Sequence, residues 1–237
     1  MKNPHRSLIA HRCRSAFTLV EMLVVIAIMS ILMTAGAIGL GGMDGKGVTS
    51  GVATVEALVN EARGLAVSQG TESRLLVAQT LTSTPADNLR KIVIVTRTRK
   101  ADGSPEETER WQLASRGVTL PDQTFFSVRF SKKNHTGTPT ALETMSLNGA
   151  DIKQLFRGNY YYYEFNAQGL PKDPGSSFVI ATGARPSVMP QPPPRLTAAG
   201  KRDFGGFVIW RNGNTSIFRS PEQISPAISM MDAGQQF

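Results

Sequence analysis

Ala16-Phe-Thr-Leu-Val-Glu21, followed by Met22-Leu-Val-Val-Ile-Ala-Ile-Met-Ser-Ile-Leu-Met33, is the stretch around which the rest of the chain is ordered. From Phe17 to Leu40 the only ionisable side chain is Glu21. At about 1.5 Å per helical residue this run reaches about 36 Å, more than the roughly 30 Å of a bilayer core. The residues before it carry Lys2, Arg6, Arg12 and Arg14 and no acid. That asymmetry holds the N-terminus in the cytoplasm and sends residues 41–237 outward. Glu21 is the expensive residue, since a carboxylate in hydrocarbon costs about 3 kcal/mol. No base lies within the run to pair with it. A cut between Ala16 and Phe17 would place a new α-amine one helical turn away, on the same or a neighbouring copy.

Ala16-Phe17-Thr18-Leu19-Val20-Glu21 resembles the type IV prepilin signal, commonly Gly-Phe-Thr-Leu-Ile/Val-Glu, with Ala16 where the family usually has glycine. The resemblance implies a cytoplasmic leader, residues 1–16, removed by a prepilin peptidase that methylates the Phe17 amine. It also implies a role for Glu21 in registering the subunit against other pilin or pseudopilin subunits in a helical fibre. An ordinary secretory signal, with Ala35-Gly36-Ala37 as its cut site, competes less well, because the apolar run is long and begins with an acid. A plain single-pass anchor is the other competing reading.

Lys2, Arg6, Arg12 and Arg14 supply four of the eight net positive charges, so the chain beyond the leader is only mildly basic and does not by itself demand nucleic acid. Cys13, the only cysteine, lies in the leader, which leaves no disulfide for the rest. The remaining length is enough for one domain with a real core.

Residues 41–51 form a glycine-rich hinge, where a helix should weaken or break because each glycine costs close to 1 kcal/mol relative to alanine. Residues 52–70 read as an amphipathic helix, capped by Thr49 or Ser50 and ended by Gly70. Its apolar face is Val52, Val55, Leu58, Val59, Ala62, Leu65 and Ala66. Residues 71–225 then read as a β-rich head, with strands expected at 74–79, 91–97, 111–114, 125–130, 160–165, 178–182, 206–211 and 215–219. Arg211-Asn-Gly-Asn214 is the best hairpin turn in the chain, and residues 226–237 form a tail. The predicted class is α+β: a long N-terminal membrane-spanning helix, a glycine-rich break, and an amphipathic helix packed on an antiparallel, pilin-like head.

This order is similar to the GspH/FimT-like branch of minor pseudopilins, through the Ala62-Arg63 step, Phe165-Asn-Ala-Gln-Gly169 and the final strand pair. The chain also resembles the D class of Verru_Chthon cassette proteins. These likenesses imply a subunit of a type II secretion or type IV pilus-like fibre. It would sit in the inner membrane as a single pass with its head in the periplasm.

Nothing in the sequence calls for catalysis, a metal or a cofactor. Of three histidines, His5 and His11 belong to the leader and His135 sits in a polar loop. Zinc frameworks need several nitrogen or sulfur ligands at close spacing. Glu106-Glu-Thr-Glu109 reads as a solvated turn, and the proline-rich 185–195 stretch as an exposed loop. Tyr160-Tyr-Tyr-Tyr163 should send two rings into the core and two toward solvent or a neighbour. Lys201, Arg202, Arg211 and Arg219 are candidate phosphate contacts, because some FimT-like pilins take up DNA, although Asp203 and Glu222 dilute the patch. DNA is therefore carried as the alternative partner, and a membrane-tethered binding domain that never polymerises as the other alternative.

Overall fold

The computed structural model of the chain describes residues 19–41, 44–99, 109–134, 140–185, 192–195 and 204–219. Two compact units divide at Met43/Asp44. The first holds helix α1, Leu19–Gly41, whose side chains are described over residues 19–30. Among the described residues no helix is long and apolar enough to cross a membrane, so the span expected at 17–40 stays an expectation.

The second unit begins with α2, Asp44–Gln69. The helix therefore starts before Val52 and runs through most of the glycine-rich segment expected to break it. The cause is tertiary. A Cβ added at Gly51 would stand 2.6 Å from Ile180 Cδ1, and one at Gly47 would stand 3.2 Å from Thr124 Cγ2. Four residues apart on one helical face, these glycines let the backbone lie close on the sheet, and that contact offsets their poor propensity. Thr49 and Ser50 lie inside the helix rather than capping it, and the Thr54 hydroxyl donates to the Ser50 carbonyl at 2.8 Å. At the other end Gly70, with φ +60°, closes the helix as expected. Its N–H donates to Val67 O and the Thr71 N–H to Ala66 O, a Schellman arrangement.

Among the described residues ten strands follow: β1 Ser73–Leu81, β2 Lys91–Arg97, β3 Trp111–Leu113, β4 Val118–Thr119, β5 Thr124–Phe126, β6 Thr144–Leu147, β7 Gly158–Phe165, β8 Ser176–Thr182, β9 Phe204–Ile209 and β10 Thr215–Phe218. One antiparallel sheet has the order β3-β2-β1-β7-β6, with β4 also on β2, and a second has the order β10-β9-β8-β5. The strand expected to run through Phe130 stops at Phe126. The Ser127 hydroxyl accepts the Phe130 N–H, and the Ser131 N–H reaches back to the Ser127 carbonyl, which turns the chain. The expected hairpin forms, with Trp210 N–H on Asn214 O at 2.8 Å and Gly213 at φ +76°.

The core has two main layers because the first sheet is buried on both faces. Leu75, Val77, Ile92 and Ile94 pack with Val55, Val59 and Ala62 of α2 and with the second sheet. Their neighbours Leu76, Ala78, Val93 and Val95 form a separate cluster with Leu147, Ile152 and Phe156, which fold over the outer face. Alternation along the tyrosine run sends Tyr163 to the inner cluster and Tyr160 to the outer one. Tyr161 and Tyr162 are half-buried against those same two layers, so neither pair faces solvent outright as expected. The tyrosine hydroxyls find carbonyls where burial is greatest: Tyr160 donates to Phe156 O at 2.7 Å and Tyr163 to Ser177 O at 2.8 Å. Burial pushes both phenols above the ordinary tyrosine range.

Candidate functional site

Over its described side chains α1 has no polar stripe. Leu19, Val20, Met22, Leu23, Ile26, Ile28 and Met29 are all exposed, Leu19 at 82 %. Ser30, the one hydroxyl among these described side chains, donates to the Ile26 carbonyl at 2.7 Å and so hides its polarity within the helix. A helix apolar on every side is stable only when something apolar surrounds it, either lipid or other helices. Glu21 is the single charge, in the first turn, where the helix dipole favours an anion. Ala16 and Phe17 lie outside the described residues, as do the rest of the leader and His135.

In the head, the three sequence features that carried the pseudopilin resemblance meet at Arg63. Its Nε donates to the Gly169 carbonyl and its Nη2 to the Asn212 carbonyl, both at 3.1 Å. Gly169 ends the turn that follows Phe165, a turn held by Asn166, whose carboxamide oxygen accepts the N–H of Gln168 and of Leu170. Asn212 belongs to the β9–β10 hairpin turn. One guanidinium thus ties α2 to two turns. Gly213 is needed beside it, since a Cβ there would collide with Arg63 Nε. Close by, the Ser73 hydroxyl donates to the Ala62 carbonyl at 2.7 Å, and Thr215 bonds Glu56.

Of the four candidate phosphate contacts the described residues include two, Arg211 and Arg219. Lys201 and Arg202 are outside the described residues, while Arg211 and Arg219 are exposed at opposite ends of the hairpin. Four β10 residues at about 3.3 Å each separate them by roughly 13 Å.

A buried cation that sequence reading passed over lies on the outer face of the first sheet. The Arg74 side chain is 8 % exposed and bonds Glu164 Oε2 through Nε at 2.8 Å and Nη2 at 2.7 Å. Its guanidinium lies 4.0 Å from the Trp111 ring centroid and 4.3 Å from that of Tyr162, with Glu109 at 3.2 Å. Glu109, expected in a solvated turn, is thereby engaged. Beside this cluster Glu143 is held by Lys133 and by the Tyr162 hydroxyl, which lower its carboxyl to about 2. The available signal was the two-residue rhythm: Arg74 shares a strand face with Leu76 and Ala78, and Tyr162 and Glu164 share theirs with Tyr160. Among the described residues no group of three or more His, Cys, Asp or Glu is placed to hold a metal ion.

Residues 11–37 match the family described as the prokaryotic N-terminal methylation motif. No curated protein matches the chain. Among solved structures it is similar to the minor pseudopilin EpsH from the type 2 secretion system of Vibrio cholerae, at 10% identity and a TM-score of 0.35, over 73% of this chain and 96% of that one. It is also similar to the type IV minor pilin FimU of Pseudomonas aeruginosa, at 15% identity and a TM-score of 0.34, over 78% of this chain and 96% of that one. Over residues 11–37, therefore, the chain carries the prokaryotic N-terminal methylation motif.

Proposed function

We propose that the protein is a minor pseudopilin, cut after Ala16, methylated on Phe17, and assembled through its N-terminal helix into a type II secretion or type IV pilus-like fibre. The observation that carries this reading is α1, apolar on all described sides with one carboxylate in its first turn, inside a methylation motif. Before assembly the helix anchors the subunit in the inner membrane with the head in the periplasm. On extraction, other subunits replace lipid around the apolar surface, and Glu21, a costly charge in hydrocarbon, meets a neighbour's Phe17 amine. The work of the protein is then assembly rather than catalysis. The DNA alternative lacks a comparable carrier, because Arg211 and Arg219 do not converge.

The test is intact mass and N-terminal sequencing of the membrane-extracted protein from a host with a prepilin peptidase. A chain starting at Phe17 with one added methyl group is expected. A start at Ile38, or an intact N-terminus that Ala16→Gly does not change, would overturn the proposal. Glu21→Ala should abolish co-purification with other fibre subunits while leaving membrane insertion intact; a tether that never polymerises would show no difference.

A further inference from the structure

Among the described residues the first sheet ends at β3, and the direction of its backbone groups follows from the ladder. Thr98 N–H donates to Arg110 O and Ala114 N–H to Ile94 O, both at 2.9 Å, while Gln112 is paired with Thr96 midway between. In an antiparallel ladder, hydrogen-bonded and non-bonded pairs alternate. Gln112 therefore spends its backbone groups on β2, and Trp111 and Leu113 aim theirs away from the sheet. The same alternation on β2 is confirmed by the Arg97 N–H, which turns to Glu72 O on the opposite side at 2.9 Å.

The open edge borders a groove of about 860 Å³. Its floor is apolar: Trp111 and Leu113 on one side, Ile152, Leu155 and Phe156 on the other, with Leu155 at 43 % exposure. Its rim carries Arg110, Arg116 and Lys153 against Asp151. Edge strands are ordinarily protected by charged side chains pointing outward or by a covering loop. Here the residues whose backbones face out carry an indole and an isobutyl group, and the charges stand at the ends of the strand.

We propose that this edge receives an extended acidic polypeptide segment of a partner protein, added as a further strand beside β3. The incoming backbone would bond the outward N–H and C=O groups of Trp111 and Leu113. Alternate apolar side chains would cover the shelf of Ile152, Leu155 and Phe156, and the acids between them would meet Arg110, Arg116 and Lys153. A peptide suits the site better than a nucleic-acid strand because the unsatisfied groups come in backbone N–H and C=O pairs and the floor is aliphatic as well as aromatic. The surface belongs to the head alone, so it stands whether or not the N-terminus is processed.

The test uses the full-length protein in detergent, with Trp210→Phe so that Trp111 is the sole tryptophan. The probe is a short capped peptide of alternating valine and glutamate, with two relatives N-methylated at alternate residues along one edge or the other. Saturable change in Trp111 emission is expected, with new hydrogen-exchange protection at Trp111 and Leu113 but not at Gln112. One N-methylated relative should bind like the parent and the other at least tenfold more weakly. Arg110→Glu with Arg116→Glu should weaken the parent at least tenfold without changing the fold by circular dichroism. Absence of a saturable signal, equal binding by both N-methylated peptides, or tighter capture of single-stranded DNA at the same groove would each overturn the proposal.

Discussion

Replacing Arg74 by methionine isolates the energetics of the outer face. Methionine keeps most of the stem between Trp111 and Tyr162 but deletes the charge. The loss falls mainly on Glu164, 12 % exposed, which accepts a hydrogen bond from Nε and stands 2.7 Å from Nη2. Stripping the partner from a buried ion pair costs about 3–5 kcal/mol, because the remaining charge is left desolvated. Lys172 Nζ stays 3.5 Å from Glu164 and partly compensates, which sets the expectation near the low end. Glu109, 49 % exposed, adds less than about 1 kcal/mol. Loss of the stacked guanidinium adds about 1 kcal/mol. The sum is a destabilisation of about 4–5 kcal/mol, a fall of more than about 1 M in the urea midpoint at an ordinary slope. The second arm is Arg74→Met with Glu164→Leu, which removes both charges and should recover at least half of the loss. Urea unfolding followed by tryptophan emission reads both. A single variant costing under about 1 kcal/mol, or a double variant no more stable than the single one, would refute the claim that a desolvated charge, rather than lost packing, governs this site.

Two further outcomes follow from α2 and from Glu143. Gly51→Val should cost about 1–3 kcal/mol because its Cβ meets Ile180 Cδ1 at 2.6 Å, whereas Gly64→Ala, with nothing within 4 Å, should gain about 0.5–1 kcal/mol; thermal melts of the pair separate seating from propensity. Glu143 has its folded carboxyl lowered from 4.5 to about 2, chiefly by the hydrogen bond from Lys133. Its contribution is thus complete above about 4.5 and lost as pH falls toward about 2. Relative to Glu143→Gln, the native protein should lose more stability across that window and the same amount above it; parallel urea midpoints at every pH would contradict this.

The sequence was legible where local chemistry and tertiary demand agree. The face of α2, its Gly70 cap and the Asn-Gly hairpin are each fixed by residues within a few positions, and all appear where expected. Misreadings arise where a distant surface decides. Gly47 and Gly51 look like helix breakers until Thr124 and Ile180 are placed beneath them. Tyr160 and Tyr162 look half-solvated until the segment from Leu147 to Phe156 covers their face. The short β4 and β6 hold too few residues for a rhythm to stand out, two in Val118-Thr119 and four in Thr144-Met-Ser-Leu147, and form because β2 and β7 present edges to them. Arg74 was hidden for a related reason. A charge in an apolar strand is informative only when its carboxylate and its two aromatic faces, distant in sequence, are known to converge.

The placement of Arg63 bears on how α2 is held to the sheets of the second unit. Near its N-terminal end, α2 is seated by glycines too close to the second sheet to admit a side chain without adjustment. Toward its C-terminal end it is pinned by Arg63 to Gly169 and Asn212 and by Ser73 to Ala62. Backbone carbonyls are the partners in all three bonds, so the ties depend on the course of the chain and tolerate changes in the loop side chains that a partner would meet. Loops between those anchor points can then change without loosening α2. A head built this way separates the attachment of α2, which rests on backbone groups, from the side chains its loops expose.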